Sequence, residues 1–197
     1  FRSNDEKQNL YWNEVTAETA IVYHEGRAIL EGIGYTFDAV VIDGRRSIRG
    51  VFSDLPVQVC HFHQIANMQR YLTSRPKLDA GTQLRALALA LPHCTEPVFA
   101  NALHAWHDRW GAFLKERSIS KETGRWSYTH RRIRSAYRSL KTNLPYLFTY
   151  QRYPALHIPN TTNSLDGSFS HLKDRLRLHR GLKQRRRWKL IQEILAH

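Results

Sequence analysis

One acidic residue of this sequence stands where phosphate chemistry is often placed. Asp43, followed by Gly44, ends the apolar run 37–42, which has the β-branched residues of a buried strand. The carboxyl end of such a strand is where α/β sheets bind their ligands. Asp-Gly is equally common in simple turns. Position alone therefore leaves a catalytic carboxylate and a turn residue as even alternatives.

A Cys-x-x-His pair follows the next apolar segment. Cys60 and His63 come at the end of residues 57–62, which alternate as a second strand does. Such a pair can supply two zinc ligands, but no second pair with matching spacing exists, which disfavours a complete zinc finger. We interpret the pair as structural, ordering the strand end, with a local catalytic role as the alternative.

The third segment combines helix-capping residues with an acid. Thr and Asn residues at 160–163 precede a helical pattern, which places Asp166 in the first turn of a helix. The helix dipole favours a carboxylate there, and the same turn can aim it at a metal ion held by a strand acid. A basic run follows: Lys173, Arg175, Arg177, Arg180, Lys183, Arg185, Arg186, Arg187 and Lys189. Such a run is usually a solvated face, but beside a metal-binding acid it favours a track for phosphates.

The elements that position these residues follow from the spacing of apolar side chains. The pattern predicts a helix over 8–32, strands over 37–43 and 57–62 with a short helix around 48–52 between them, and a helix over 64–74. Residues 78–144 read as several helices, and prolines at 145, 154 and 159 predict extended chain over 146–158. Helices over 164–178 and 183–195 end the chain.

The charge balance favours nucleic acid as the partner. Thirty Lys and Arg against 17 Asp and Glu leave a net charge of +13 and a pI near 10.1, which attracts polyanions. Two cysteines fit a reducing cytosol, and no apolar run approaches the length of about 20 residues that crosses a bilayer. A basic soluble protein or one lying on an anionic membrane is the alternative.

Taken in order, three motifs resemble the core of Mutator-like bacterial insertion-sequence transposases. They are Val40-Val41-Ile42-Asp43-Gly44, then Val57-Gln58-Val59-Cys60-His61-Phe62-His63, then Asn160-Thr161-Thr162-Asn163-Ser164-Leu165-Asp166-Gly167. This family belongs to the D-D-E class. The resemblance implies an α/β ribonuclease-H-like core, a mixed sheet flanked by helices, formed by residues 1–77 and 145–197. An all-helical insertion at 78–144 would interrupt that core.

The resemblance also implies roles for particular residues. Asp43 matches the second catalytic acid and Asp166 the third, usually Glu, so both would bind Mg²⁺ or Mn²⁺. The Cys60–His63 pair matches the family's Cys-x-x-His motif. Insertion-domain tryptophans can stack on DNA bases in related transposases, which makes Trp106, Trp110 and Trp126 candidates. The first catalytic Asp has no match, because the family places it on a first strand that would lie just before Phe1. Asp5 is a poor substitute, since residues 3–7 read as an exposed turn. We therefore expect the metal site to be incomplete in the chain as given.

The sequence therefore predicts a DNA transposase catalytic domain that cleaves a DNA strand and transfers it during transposition of an insertion sequence. The expected partner is double-stranded DNA, bound by a homodimer in the bacterial cytoplasm at the nucleoid, with no membrane involved. A catalytically inactive DNA-binding relic and a related metal-dependent endonuclease are the alternatives.

Overall fold

Two parallel strands form the small sheet that carries the predicted acid. The computed structural model describes residues 1–195, and of Asn163, Ser164 and Asp166 it describes the main chain alone. Strands β1 (Val40–Ile42) and β2 (Val57–Val59) pair with Ile42 opposite Val59. Both predicted strands are thus present, but each is three residues long.

Helices account for most of the remaining chain. Their bounds are α1 (Ala20–Gly32), α2 (Arg46–Val51), α3 (His61–Leu72), α4 (Asp79–Ala90), α5 (Glu96–Trp110), α6 (Arg131–Leu147), α7 (Thr149–Arg152), α8 (Asn163–Leu178) and α9 (Gln184–Leu195). The expected mixture of helix and strand is confirmed. Within residues 1–195, no helix combines the length and apolar character needed to span a membrane.

A β-hairpin corrects the expectation of an all-helical insertion. Strands β3 (Arg117–Ile119) and β4 (Trp126–Tyr128) pair antiparallel between α5 and α6. Gly124, with φ +65°, turns the chain between them in a conformation that favours glycine. This stretch lacks apolar residues three or four positions apart, so no helical face exists to bury, and the ribbon satisfies its main chain instead.

The proline-rich segment is helical, contrary to the prediction of extended chain over 146–158. Pro145 lies inside α6, two residues before its last residue, Leu147. A proline there removes one N–H bond, and packing of the helix against its neighbours offsets that loss. Pro154 begins a 3-10 turn, Pro154–Leu156, where a proline leaves no bond unmade.

The predicted N-terminal helix is half as long as expected, because α1 begins at Ala20. Residues 1–11 form a loop closed by a bridge between Arg2 and Asn9. The amino group of Phe1 donates a hydrogen bond of 2.6 Å to the carbonyl oxygen of Tyr11. These contacts hold the first residues in non-helical conformations, so apolar side chains at 10–15 do not continue the helical face of α1.

One hydrophobic core joins the segments on either side of residue 78. Helix α6 packs on α3, α4 and α5, and its Leu140 is fully buried. The same core contains Val59 from β2 and Met68 from α3, together with Leu84 from α4 and Leu103 from α5. The helices of segment 78–144 therefore share their core with the strand that leads into the candidate site.

The side chain of Gln58 joins β2 to the end of α6 and the start of α7 by hydrogen bonds. Its replacement by leucine should therefore destabilise the fold. Its fully buried side chain donates a hydrogen bond of 2.9 Å to the carbonyl oxygen of Leu147 and accepts one of 3.1 Å from the main-chain N–H of Tyr150. In Gln58→Leu both main-chain groups lose this partner at similar side-chain volume, which should cost about 1–3 kcal/mol in urea unfolding. The same exchange at exposed Gln69 is the control and should change stability by less than about 0.5 kcal/mol. Equal stability of the two variants would contradict this role.

Candidate functional site

Asp43 is the first residue after β1, and its carboxylate is partly exposed. One oxygen, Oδ1, accepts a hydrogen bond of 3.1 Å from the main-chain N–H of Arg45. The other, Oδ2, lies 3.5 Å from Nε of Arg45, and 35% of the Asp43 side chain is accessible. Solvent weakens such an ion pair to about 0–1 kcal/mol. The carboxylate is therefore available to a stronger cation.

Gly44 allows the chain to turn sharply behind this carboxylate. Its φ is +93°, and an added Cβ would lie 3.2 Å from Cγ1 of Val59 and 3.4 Å from Nδ2 of Asn143. Both the conformation and the close approach require glycine. In this sequence Asp-Gly thus forms a turn and also leaves the acid at the edge of the sheet. A role of Asp43 as a turn residue is therefore compatible with a role as a catalytic carboxylate.

A buried polar network on α6 supports this turn from behind. The amide of Asn143 accepts a hydrogen bond of 3.2 Å from Arg49 of α2 and donates one of 2.8 Å to Gln64 of α3. The Arg49 guanidinium also lies over the ring of Tyr146, with Cζ 4.3 Å from its centroid. Sequence reasoning missed these residues, because polar side chains on a helix give no signal of which of them face inward.

The segment before α8 docks on the carboxyl end of β2. The main-chain N–H of His61, in the first turn of α3, donates a hydrogen bond of 2.9 Å to the carbonyl oxygen of Asn160. The Thr162 main-chain N–H and hydroxyl each lie 3.3 Å from Sγ of Cys60, and the hydroxyl lies 3.4 Å from Nδ1 of His63. The Cys-x-x-His motif thus contacts the Asn-Thr-Thr-Asn motif directly, 102 positions away in the sequence.

These contacts bring three predicted segments to one edge of the fold. The main-chain N–H of Cys60 donates a hydrogen bond of 2.8 Å to the carbonyl oxygen of Ile42, so the chain end of β1 lies beside that of β2. The start of α8 lies beside β2 in turn. Asp166 is the fourth residue of α8, and its side chain lies outside the part of the chain that the structure describes.

Nearby charges shape the environment of Asp43. Arg45 also forms a salt bridge of 2.8 Å with Glu18, so one guanidinium joins two carboxylates. The Tyr23 hydroxyl donates a short hydrogen bond to Glu18. Burial, this hydrogen bond and the negative charge of Asp43 raise the pKa of Tyr23 well above its usual value. Glu18 was not predicted, because it lies 25 residues before Asp43 in a polar stretch without a motif.

The described side chains supply one well-placed carboxylate for a divalent cation, that of Asp43. Among them no three His, Cys, Asp or Glu residues are grouped as metal ligands. Oxygen ligands suit Mg²⁺, which retains several waters and needs few protein carboxylates. The partly exposed carboxylate of Asp43 fits that requirement, and Asp166 would have to supply a further oxygen.

His61 is a buried neighbour that sequence reasoning did not single out. Its side chain is fully buried, and Nε2 lies 2.6 Å from the carbonyl oxygen of Leu147. That hydrogen bond identifies Nε2 as the protonated nitrogen, because a carbonyl oxygen can only accept. Burial lowers the pKa of His61, so the ring stays neutral at pH 7. With no access to solvent, it supports the fold and is not placed to exchange protons with a substrate.

The three candidate tryptophans differ in exposure. Trp106 is 4% exposed and donates a hydrogen bond of 3.1 Å to the carbonyl oxygen of Ala80, so it is a core residue with no free face for a DNA base. Trp110 is partly buried and donates one of 2.9 Å to Gln83. Trp126, on β4, is 53% exposed. The spacing of apolar residues along the sequence could not separate Trp106 from Trp110, because both fit one helical pattern and that pattern suits core and surface positions alike.

The basic side chains of α8, α9 and the turn between them are all exposed. These are Lys173, Arg175, Arg177, Arg180, Lys183, Arg185, Arg186, Arg187 and Lys189. Helices α8 and α9 pack against each other, and we call these exposed residues together the C-terminal basic surface. It begins on the same helix that carries Asp166.

Comparisons with protein-family models, with curated proteins and with solved structures found no match to this chain.

The hydroxyl of Thr162 should hold the start of α8 against β2. In Thr162→Val the contacts of that hydroxyl with Cys60 and His63 are lost at nearly constant volume, at a cost of about 1 kcal/mol. Local opening should then raise hydrogen exchange at the His61 amide roughly fivefold, since that amide is bonded to Asn160. Thr161→Val is the control. If the two variants exchange alike at His61, the hydroxyl does not hold this junction.

Proposed function

We propose that this chain is the catalytic domain of a DNA transposase that cleaves a DNA strand and joins the freed end to target DNA. The observation that carries the proposal is the docking of the Asn160–Thr162 segment on Cys60 and His63, beside the strand that ends at Asp43. This arrangement brings the start of α8, the helix of Asp166, to the edge of the sheet that carries Asp43. The C-terminal basic surface, continuing from α8, suits a polyanion that reaches this edge.

The proposed chemistry needs two carboxylates and a positive surround. Asp43 and Asp166 would bind Mg²⁺ or Mn²⁺, and the bound ion would supply activation of the attacking oxygen and stabilisation of the leaving one. Water attacks a phosphorus atom at the element end, and the bond to the 3′ oxygen breaks with release of a 3′-hydroxyl. That hydroxyl then attacks the phosphorus atom of a target phosphodiester. The element's 3′ oxygen becomes bonded to this phosphorus, and the 3′ oxygen of the target strand leaves. The chain's arginines position the phosphates.

The proposed fold is a ribonuclease-H-like core. Two features support this proposal: the parallel pair β1–β2 with an acid after its first strand, and the docking of the segment before α8 at the same edge. Asp is shorter than the Glu of the resembled family by one methylene, so the main chain of α8 must lie correspondingly closer to the metal ion. We further propose a homodimer on double-stranded DNA at the bacterial nucleoid, because the reaction joins two element ends.

A DNA-binding protein without catalytic activity is the second candidate. It is favoured by the absence, among the described side chains, of a group of three metal ligands. Both candidates predict DNA binding that weakens as salt rises, so binding alone does not separate them. Metal-dependent nicking does, and strand-transfer products separate a transposase from an endonuclease that only hydrolyses.

Asp43→Asn should abolish metal-dependent cleavage. The assay uses a chain extended upstream to supply the first catalytic acid that the resemblance implies. The amide keeps the size of the carboxylate but loses the charge that binds the cation, so nicking of plasmid DNA in Mn²⁺ by this extended chain should fall at least 100-fold. Asp38→Asn is the matched control, because exposed Asp38 lies at the opposite end of β1, and it should retain activity. Joining of a pre-cleaved end to a target duplex is measured in parallel.

The outcomes of this experiment are distinct. Cleavage by Asp43→Asn at the rate of the unaltered chain would refute the role given to Asp43. Cleavage without joining would favour the endonuclease, and DNA binding without any cleavage would favour the non-catalytic protein.

Neutralising part of the C-terminal basic surface should reduce the salt dependence of DNA binding. Each phosphate contact releases about one counterion, so log K falls as log salt rises. Replacing Arg185, Arg186 and Arg187 by Gln should make this negative slope shallower by up to about 2.7. The slope is obtained from titrations of a labelled duplex between about 50 and 200 mM salt, the range over which phosphate contacts change affinity most visibly. An unchanged slope would show that these arginines are a solvated face and not a phosphate track.

A further inference from the structure

The antiparallel ribbon β3–β4 forms an arm whose two faces differ in chemistry. Ile119 is opposite Trp126 and Arg117 is opposite Tyr128, so these four side chains share one face. Ser118 and Ser127 are on the other face. Ile119 is 72% and Trp126 53% exposed, side by side near the turn. We call residues 117–128 the β3–β4 arm.

Arginines and aromatic rings alternate along the exposed face of the arm. The guanidinium carbon of Arg117 lies 4.2 Å from the ring centroid of Trp126 and 5.7 Å from that of Tyr128. On the far side, the guanidinium of Arg134 from α6 lies 3.9 Å from the Tyr128 centroid. Stacking of this kind restrains the side chain of Arg117 while leaving the in-plane N–H donors at its edge free.

Those donors have no protein acceptor. Within residues 1–195, the side chains of Arg117 and Arg125 form no hydrogen bond or ion pair. Residues 115–134 contain seven lysines and arginines against two glutamates. Ile119 and Trp126 thus share their face with the stacked and unpaired Arg117, and the unpaired Arg125 lies in the adjoining turn. This combination is complementary to a polyanion that also has apolar surface, and nucleic acid has both.

We propose that the β3–β4 arm is a second DNA-binding element that lies in a groove of duplex DNA. A two-stranded ribbon fits the major groove, which is about 12 Å wide. Arg117 and Arg125 would bond to phosphates at the groove edge, and Ile119 with Trp126 would contact the groove wall. The inference rests on DNA being the substrate, as in the proposed function, but it assigns an additional surface, separate in sequence from the C-terminal basic surface.

The test compares DNA binding by variants of the arm in the full chain. The double variant Arg117→Gln, Arg125→Gln should bind an intact duplex at least tenfold more weakly at about 150 mM salt. Its slope of log K against log salt should be smaller by about 2. Arg109→Gln is the matched control, because Arg109 also lies over a tryptophan ring, Trp110, but outside the arm. It should bind as the unaltered chain does.

A protection experiment does not depend on the folding of any variant. Trypsin cuts after Lys121 and Arg125 in the exposed turn of the arm, and saturating duplex DNA should slow both cuts at least fivefold. An arm that is cut equally fast with and without DNA, or an arginine double variant that binds as tightly as the control, overturns the proposal. If the chain binds no duplex at all, both this proposal and the proposed function fail, whereas loss of the arm effect alone leaves the proposed function standing.

The nature of the DNA contact is tested with Trp126→Leu. A groove contact needs an apolar side chain but no aromatic ring, so this variant should bind intact duplex within about twofold of the unaltered chain. Tenfold weaker binding that appears only on a duplex with an unpaired base would mean that the arm is a stacking platform, and would overturn the groove assignment.

Discussion

Three main-chain segments far apart in the sequence are joined by hydrogen bonds at one edge of the small parallel sheet. The amide of Cys60 donates to Ile42, and the amide of the next residue, His61, donates to Asn160. The first bond continues the ladder between β1 and β2, and the second satisfies an N–H that the first turn of α3 leaves without a helical partner. Because both bonds involve the main chain, they fix where α8 begins. The proposed metal site depends on this constraint.

Helix α6, most of which lies in the predicted insertion, supports that edge. Helix α6 contributes Asn143, which contacts the Gly44 turn, Arg49 and Gln64, and its last carbonyl, from Leu147, accepts hydrogen bonds from Gln58 and His61. The same helix begins next to the β3–β4 arm, where its Arg134 stacks on Tyr128. Helix α6 therefore extends from a side chain that stacks on the β3–β4 arm to the Gly44 turn behind Asp43.

The parts that sequence predicted well are those where a single physical signal dominates. Residues 40–42 and 57–59 are short β-branched runs, and the Thr and Asn residues at 160–163, types that favour helix starts, immediately precede or begin α8. The hairpin was not predicted, because its three-residue strands contain Arg, Ser and Trp and show no clear alternation of apolar and polar residues. The prediction of extended chain after Pro145 was wrong, because tertiary packing can retain a helix through a proline. The contacts of Thr162 with Cys60 and His63 were beyond prediction, since no local pattern encodes a partner about 100 residues away.

The most direct test of the account asks whether residues 43 and 166 share one divalent cation. Paramagnetic Mn²⁺ broadens the NMR signals of amides close to it, so titration of the isotope-labelled chain maps the ion onto the sequence. We predict that amides around 43–45 and around 164–167 broaden together at the same Mn²⁺ concentration, and that Asp43→Asn suppresses both effects. Broadening of one segment without the other, or of neither, would contradict the shared metal site and with it the proposed catalysis.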